Sequence, residues 1–131
     1  MSSPYAQILI LAAVSDGEIQ KEELDLIRSY LKNLKQLSQM TEEEFQEAAA
    51  DVYNKINAGV ESEYIIKKIG EQLDEEGKEV AYALAYEVCM SNYAYIDAEK
   101  NYIKTIEETW CISDETSMAI KKSCRLRYGI D

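Results

Sequence analysis

The chain has no histidine, one proline, five glycines and three cysteines among its 131 residues, and each shortage removes a class of protein. Without histidine, zinc sites of the Cys/His type are excluded and the commonest general base is missing. Cys89, Cys111 and Cys124 are odd in number, far apart and free of any CxxC spacing, so no disulfide framework is expected and all three read as reduced packing residues. Positive charge is also scarce, with 14 Lys and Arg against 25 Asp and Glu, a net charge of −11. A nucleic-acid partner requires a basic patch to displace counterions, and only Lys121, Lys122, Arg125 and Arg127 cluster, so none is expected. The longest apolar run, Ile8 to Val14, is too short to span a bilayer, and the first positive side chain, Lys21, follows it. Direct membrane insertion and a secretory signal are therefore not expected, and a cytoplasmic setting is.

What is present is material for helices. Apolar residues make up 47% of the chain, enough for a real core, and residues 1–131 are expected to form a single domain. Ala, Leu, Ile, Glu and Lys are plentiful, and no apolar/polar alternation of strand type occurs.

Ser3 and Pro4 open helix 1, which runs to about Val14, is apolar nearly all round and must be buried. Helix 2, about Gln20 to Lys35, places Leu24, Ile27, Leu31 and Leu34 on one face and Lys21, Asp25, Arg28 and Lys32 on the other. Thr41 and Glu44 form a capping box for helix 3, whose buried stripe reads Phe45, Ala48, Ala49, Val52, Tyr53 and Ile56 before a stop at Gly59. Helix 4 spans about Ser62 to Leu73. Helix 5, about Lys78 to Met90, is the second nearly all-apolar helix. Helix 6 covers about Asp97 to Cys111 with Tyr102, Ile103, Ile106 and Trp110 inward, and Ser113 caps helix 7, which ends at Gly129. The expected fold is all-α, a compact bundle of about seven helices.

Between helices 1 and 2 lies an acidic turn, Ser15-Asp16-Gly17-Glu18, followed by Glu22 and Glu23. A shift of 76 residues carries Glu23 onto Glu99, Asp16 onto Asn92, Gly17 onto Tyr93, Ile27 onto Ile103 and Leu34 onto Trp110, with apolar positions falling on apolar ones. The pattern reads as an internally repeated helix pair. If so, helices 1 and 5 lie side by side and the two turns meet at one end. The turn imitates the second half of an EF-hand, but the first and third ligand positions of such a loop fall on Ala12 and Val14, which excludes one.

The stretch Ala12-Ala13-Val14-Ser15-Asp16-Gly17-Glu18-Ile19-Gln20-Lys21-Glu22-Glu23 resembles the signature of the tellurite-resistance TerB family, and Ser91 to Lys100 resembles its second copy. The resemblance implies an all-α fold with two such helix pairs. It also implies a small cytoplasmic stress protein tied to tellurite resistance, with a related domain in DnaJ-like co-chaperones, and metal binding by the acidic turns. Carried over, the metal ligands are Asp16, Glu23, Asn92 and Glu99. Asn92 replaces the family's Asp and Tyr93 its Gly. Three carboxylates and one amide oxygen still suit a hard divalent ion such as Ca²⁺ or Mg²⁺, with less charge, while Tyr in place of Gly removes easy access to positive φ.

Taken singly, each carboxylate also has a plain role, stabilising a turn or the positive end of a helix dipole. Ten tyrosines are the other unusual feature. Tyr82 and Tyr86 share a face, and Tyr93, Tyr95 and Tyr102 gather about the second turn. They read as core and rim packing with hydroxyls bonded to the acidic turns, or as an aromatic-lined pocket. No catalytic constellation is visible, so an enzyme is not expected. The second functional reading is a non-catalytic interaction module that presents an acidic, tyrosine-rich surface to a protein partner.

Overall fold

Seven helices form among the described residues: α1 Pro4–Ala13, α2 Lys21–Asn33, α3 Glu42–Asn57, α4 Ser62–Gly70, α5 Glu75–Met90, α6 Asp97–Thr109 and α7 Asp114–Tyr128. The computed structural model describes residues 3–14, 21–35, 37–91 and 97–129, and within these all side chains but those of residues 22–24. No strand occurs among them. The all-α expectation holds.

Local chemistry accounts for most boundaries. The Ser3 hydroxyl accepts from the Ala6 N–H at 3.4 Å and Pro4 fills the first turn of α1. At α3 the capping box is complete, because Thr41 Oγ1 accepts from the Glu44 N–H at 3.1 Å and the Glu44 carboxylate accepts from the Thr41 N–H at 3.2 Å. Beyond α3, Gly59 sits at φ +84, and the Val60 and Gly59 N–H groups close back on the Lys55 and Ile56 carbonyls. That is a Schellman stop, and glycine is what makes it inexpensive.

Two boundaries differ from the sequence expectation by three residues, and the ends of α2 and α6 fall short of it by two. Helix α5 begins at Glu75 rather than Lys78, because Asp74 caps it by accepting from the Gly77 N–H at 2.7 Å. Gly77 thus belongs to the first helical turn instead of separating two helices. Helix α4 ends at Gly70 rather than Leu73, the next turn tightening through Gln72 N–H to Ile69 O and Leu73 N–H to Gly70 O.

The core is built on α1 and α5, which pack along each other as the repeat implies. Every residue from Ala6 to Ala13 is buried, and α3 and α4 cover α1 while α6 and α7 pack against α5. Full burial of each Ile or Leu side chain contributes about 1.5–3 kcal/mol, so an all-round apolar helix is stable only at such a centre. The indole N–H of Trp110 donates to the Ile66 carbonyl at 2.9 Å and joins α6 to α4. On α3 the inward stripe is shorter than expected. Phe45, Ala48 and Val52 are buried, but Tyr53 and Ile56 stand 38% and 37% exposed, because the described residues leave the outer end of that helix face partly uncovered.

Cys89 and Cys124 are buried as expected, whereas Cys111 is exposed and is no packing residue. It follows α6 at φ 54, the left-handed position that the Ile112 N–H to Glu107 carbonyl bond demands. A β-carbon there costs about 1–2 kcal/mol, partly offset in glycine by chain entropy. Cys111→Gly is therefore expected to stabilise the fold by about 0.5–1 kcal/mol, read as a higher urea midpoint with unchanged slope.

Candidate functional site

Of the four proposed ligands, Asp16 and Asn92 lie outside the described residues, as do Tyr93 and Tyr95. Glu23 falls within α2, but its side chain is outside the description. Glu99 is the one whose side chain is placed. It sits in the first turn of α6 and is 0% exposed. The cause is its register. Glu99, Ile103 and Ile106 recur at helical spacing, and all three are buried on one stripe of α6. That stripe is pinned to α1 by the Tyr102 hydroxyl, which donates to the Ile8 carbonyl at 2.8 Å. Glu99 interacts with neighbouring groups there, and the positive end of the α6 dipole favours its negative charge. Among the described residues, no group of three or more carboxylates and thiols converges to hold a metal.

Two other carboxylates organise the structure. Glu87 on α5 accepts from the Tyr30 hydroxyl of α2 at 2.7 Å, the Tyr128 hydroxyl of α7 at 3.0 Å and the Arg127 guanidinium at 2.9 Å. Glu107 on α6 accepts from the Tyr82 hydroxyl, from the Ser117 hydroxyl at 3.0 Å and from the Lys121 ammonium at 2.7 Å. A further bond runs from Arg125 Nε to the Tyr86 hydroxyl at 3.2 Å. With only Ser117 and Cys124 buried along its length, α7 is held by these polar clasps together with Ile120 and Tyr128, which pack against the core. Sequence reading left out both carboxylates. Glu87 had a signal, as the lone charge at the inner end of an apolar run; Glu107 had none.

The clasps set the ionisation of their members. Burial alone pushes Glu107 up, but the Lys121, Tyr82 and Ser117 bonds and the Lys121 charge outweigh it and hold its carboxyl below the usual 4.5. Burial and the bond to Glu87 push Tyr30 well above 10, and burial and the bond to Glu107 do the same for Tyr82. Burial and the Glu87 charge raise Tyr128 likewise. The Cys124 thiol is pushed up to about 11, first by burial and then by Glu87, which keeps it protonated and unreactive.

A stability profile against pH is expected to fall on both flanks. For Glu107 the folded state binds its proton less tightly than the unfolded chain, so its contribution is complete above 4.5 and is lost as the pH drops below that value. The three tyrosines have raised values, so their contribution is complete below 10 and is lost as the pH rises beyond it. Urea midpoints across the pH range measure both flanks, and Glu107→Gln is expected to flatten the acid one.

The tyrosines also correct the sequence reading. Tyr30, Tyr82, Tyr86 and Tyr102 are buried, and their hydroxyls bond to Glu87, Glu107, Arg125 and the Ile8 carbonyl rather than to the acidic turns. They fill the core and its polar clasps, and Tyr102 also lines a cleft beside Leu11 and Ile66.

A family model described as tellurite resistance protein TerB matches residues 4–122, a span that takes in α1 to α6 and the first part of α7. Searches of curated proteins and of solved structures find no match.

Proposed function

The chain belongs to the TerB family, and from that membership we propose that it is a non-catalytic, cytoplasmic, stress-associated domain related to tellurite resistance. In this reading it binds a divalent cation through the acidic residues of its two helix pairs. The observation that carries the reading is Glu99, a carboxylate 0% exposed on the core-facing stripe of α6, immediately beyond the second turn. A divalent cation would add to the interactions that Glu99 already makes, and a hard ion accepts a carboxylate oxygen of this kind. The donor set of Asp16, Glu23, Asn92 and Glu99 is all oxygen, which fits a hard ion such as Ca²⁺ or Mg²⁺ and not a thiolate- or imidazole-seeking one. Such an ion would supply charge that draws the two helix pairs together.

Titration calorimetry with Ca²⁺, Mg²⁺, Mn²⁺ and Zn²⁺ tests this. Saturable binding is expected for the hard ions, weakened about tenfold or more by Glu23→Gln and by Glu99→Gln, since each removes one charged ligand. Absence of saturable binding below millimolar concentration, or indifference to both substitutions, would overturn it.

One observation favours the second reading, an interaction module. On the outer face of α7, Met118 and Leu126 are 69% and 73% exposed beside Lys122 and Arg125. A partner surface there would be basic and apolar, the reverse of the acidic, tyrosine-rich surface expected from composition.

A further inference from the structure

A cleft of about 300 Å³ opens where the ends of α1 and α3 meet the start of α4 and the first turns of α6. Its floor is Leu11, Ile66 and Tyr102, which are 2%, 0% and 6% exposed. The Tyr102 hydroxyl is committed to the Ile8 carbonyl, so that residue brings its ring to the floor. Ser62, Asn101 and Thr105 are polar residues of the lining. The Thr105 hydroxyl donates to the Asn101 carbonyl at 2.8 Å, which leaves its oxygen able to accept.

Two features point to an occupant. The described lining contains no charged side chain, although 30% of the chain is charged. Ile56 lines the same cleft at 37% exposure, a large apolar side chain facing water where its helical stripe turns it inward. The volume lies at the lower end of small-molecule sites, roughly 300–1,000 Å³. An ionised ligand would lose its hydration against this floor, and the described lining residues offer it no counter-charge. An anion would in addition approach a chain of net charge −11.

We propose that this cleft binds an uncharged small organic molecule with an apolar body about one ring in size and a single hydroxyl or carbonyl group. The apolar body lies over Leu11, Ile66 and the Tyr102 ring and covers Ile56, and the polar group meets Ser62, Asn101 or Thr105. This site uses none of the carboxylates assigned to the cation.

Amide NMR titrations of the full chain test the proposal, with cyclohexanol and benzyl alcohol as probes and benzoate and benzylammonium as their charged counterparts. The neutral probes are expected to give saturable shifts at Leu11, Ala98, Asn101 and Thr105, with the charged pair at least about tenfold weaker. Ala98 and Ser62 are exposed lining residues, so Ala98→Trp and Ser62→Trp can fill the cleft from its edge without disturbing the core. Either variant is expected to weaken the neutral probes about tenfold while leaving the remaining amide shifts in place. No saturable shift, an equal response to benzoate or benzylammonium, or binding unaltered in both filled variants would overturn the proposal.

Discussion

Gly70→Ala is expected to destabilise the protein by about 2–4 kcal/mol, the opposite sign to that of a glycine replaced in an ordinary helix, where alanine gains about 1 kcal/mol. Gly70 is the last residue of α4, and a β-carbon built there would lie 2.4 Å from Trp110 Nε1 and 2.7 Å from Trp110 Cδ1. A rigid indole cannot yield as a flexible side chain would. Trp110 is 4% exposed, and moving it breaks its bond to the Ile66 carbonyl, leaving a buried acceptor unpaired at a further 1–3 kcal/mol or so. Urea unfolding measures the loss. Trp110 is the chain's only tryptophan, so its native fluorescence is expected to shift to the red in the variant. An unchanged spectrum together with unchanged stability would mean that the indole does not pack on this glycine.

Replacing Glu87 by Ala is expected to cost about 2–4 kcal/mol, most of it from the donors left behind. The Tyr30 hydroxyl, on a residue 8% exposed, loses its carboxylate acceptor, and the Tyr128 hydroxyl loses the same one. The Arg127 pair adds little, since that side chain is 55% exposed and its charge is screened. Tyr30→Phe removes donor and demand together and is expected to cost only about 1 kcal/mol. Because Glu87 ties α2 and α7 to α5, hydrogen exchange should reveal the order of events, with α7 amides losing protection in Glu87→Ala before those of α1. Uniform loss across all helices would instead mark Glu87 as a global core residue.

Much of this architecture was legible beforehand because its signals are local. Helix caps at Ser3, Thr41 and Ser113 rest on side chains three residues from the groups they bind, and the stops at Gly59 and Gly129 need only a residue at ease with positive φ. The burial of α1 and of α5 from Ala81 to Met90 follows from composition, since neither stretch has a polar face wide enough for water. Where expectation failed, the deciding partner was distant in sequence. Ile56 and Tyr53 continue an apolar stripe, yet nothing in that stripe says whether another helix covers it. Glu107 looks like a surface residue until α7 brings Ser117 and Lys121 to it.

The acidic turns divide along the same line. Their residue types and spacing are properties of the chain; they carry the resemblance to the family that matches residues 4–122, and the proposed ligands among them are all oxygen donors. That Glu99 is withdrawn from water is a tertiary fact, set by the packing of the α6 stripe against the core and by the Tyr102 bond to α1. The sequence by itself determined the helices, their ends and the central pair, because propensity, capping and amphipathicity act within a few residues. Only the tertiary structure decided which carboxylates became half-buried hubs, which apolar faces stayed open and where a cleft remained, because burial and hydrogen-bond satisfaction depend on neighbours that the chain brings together from far apart.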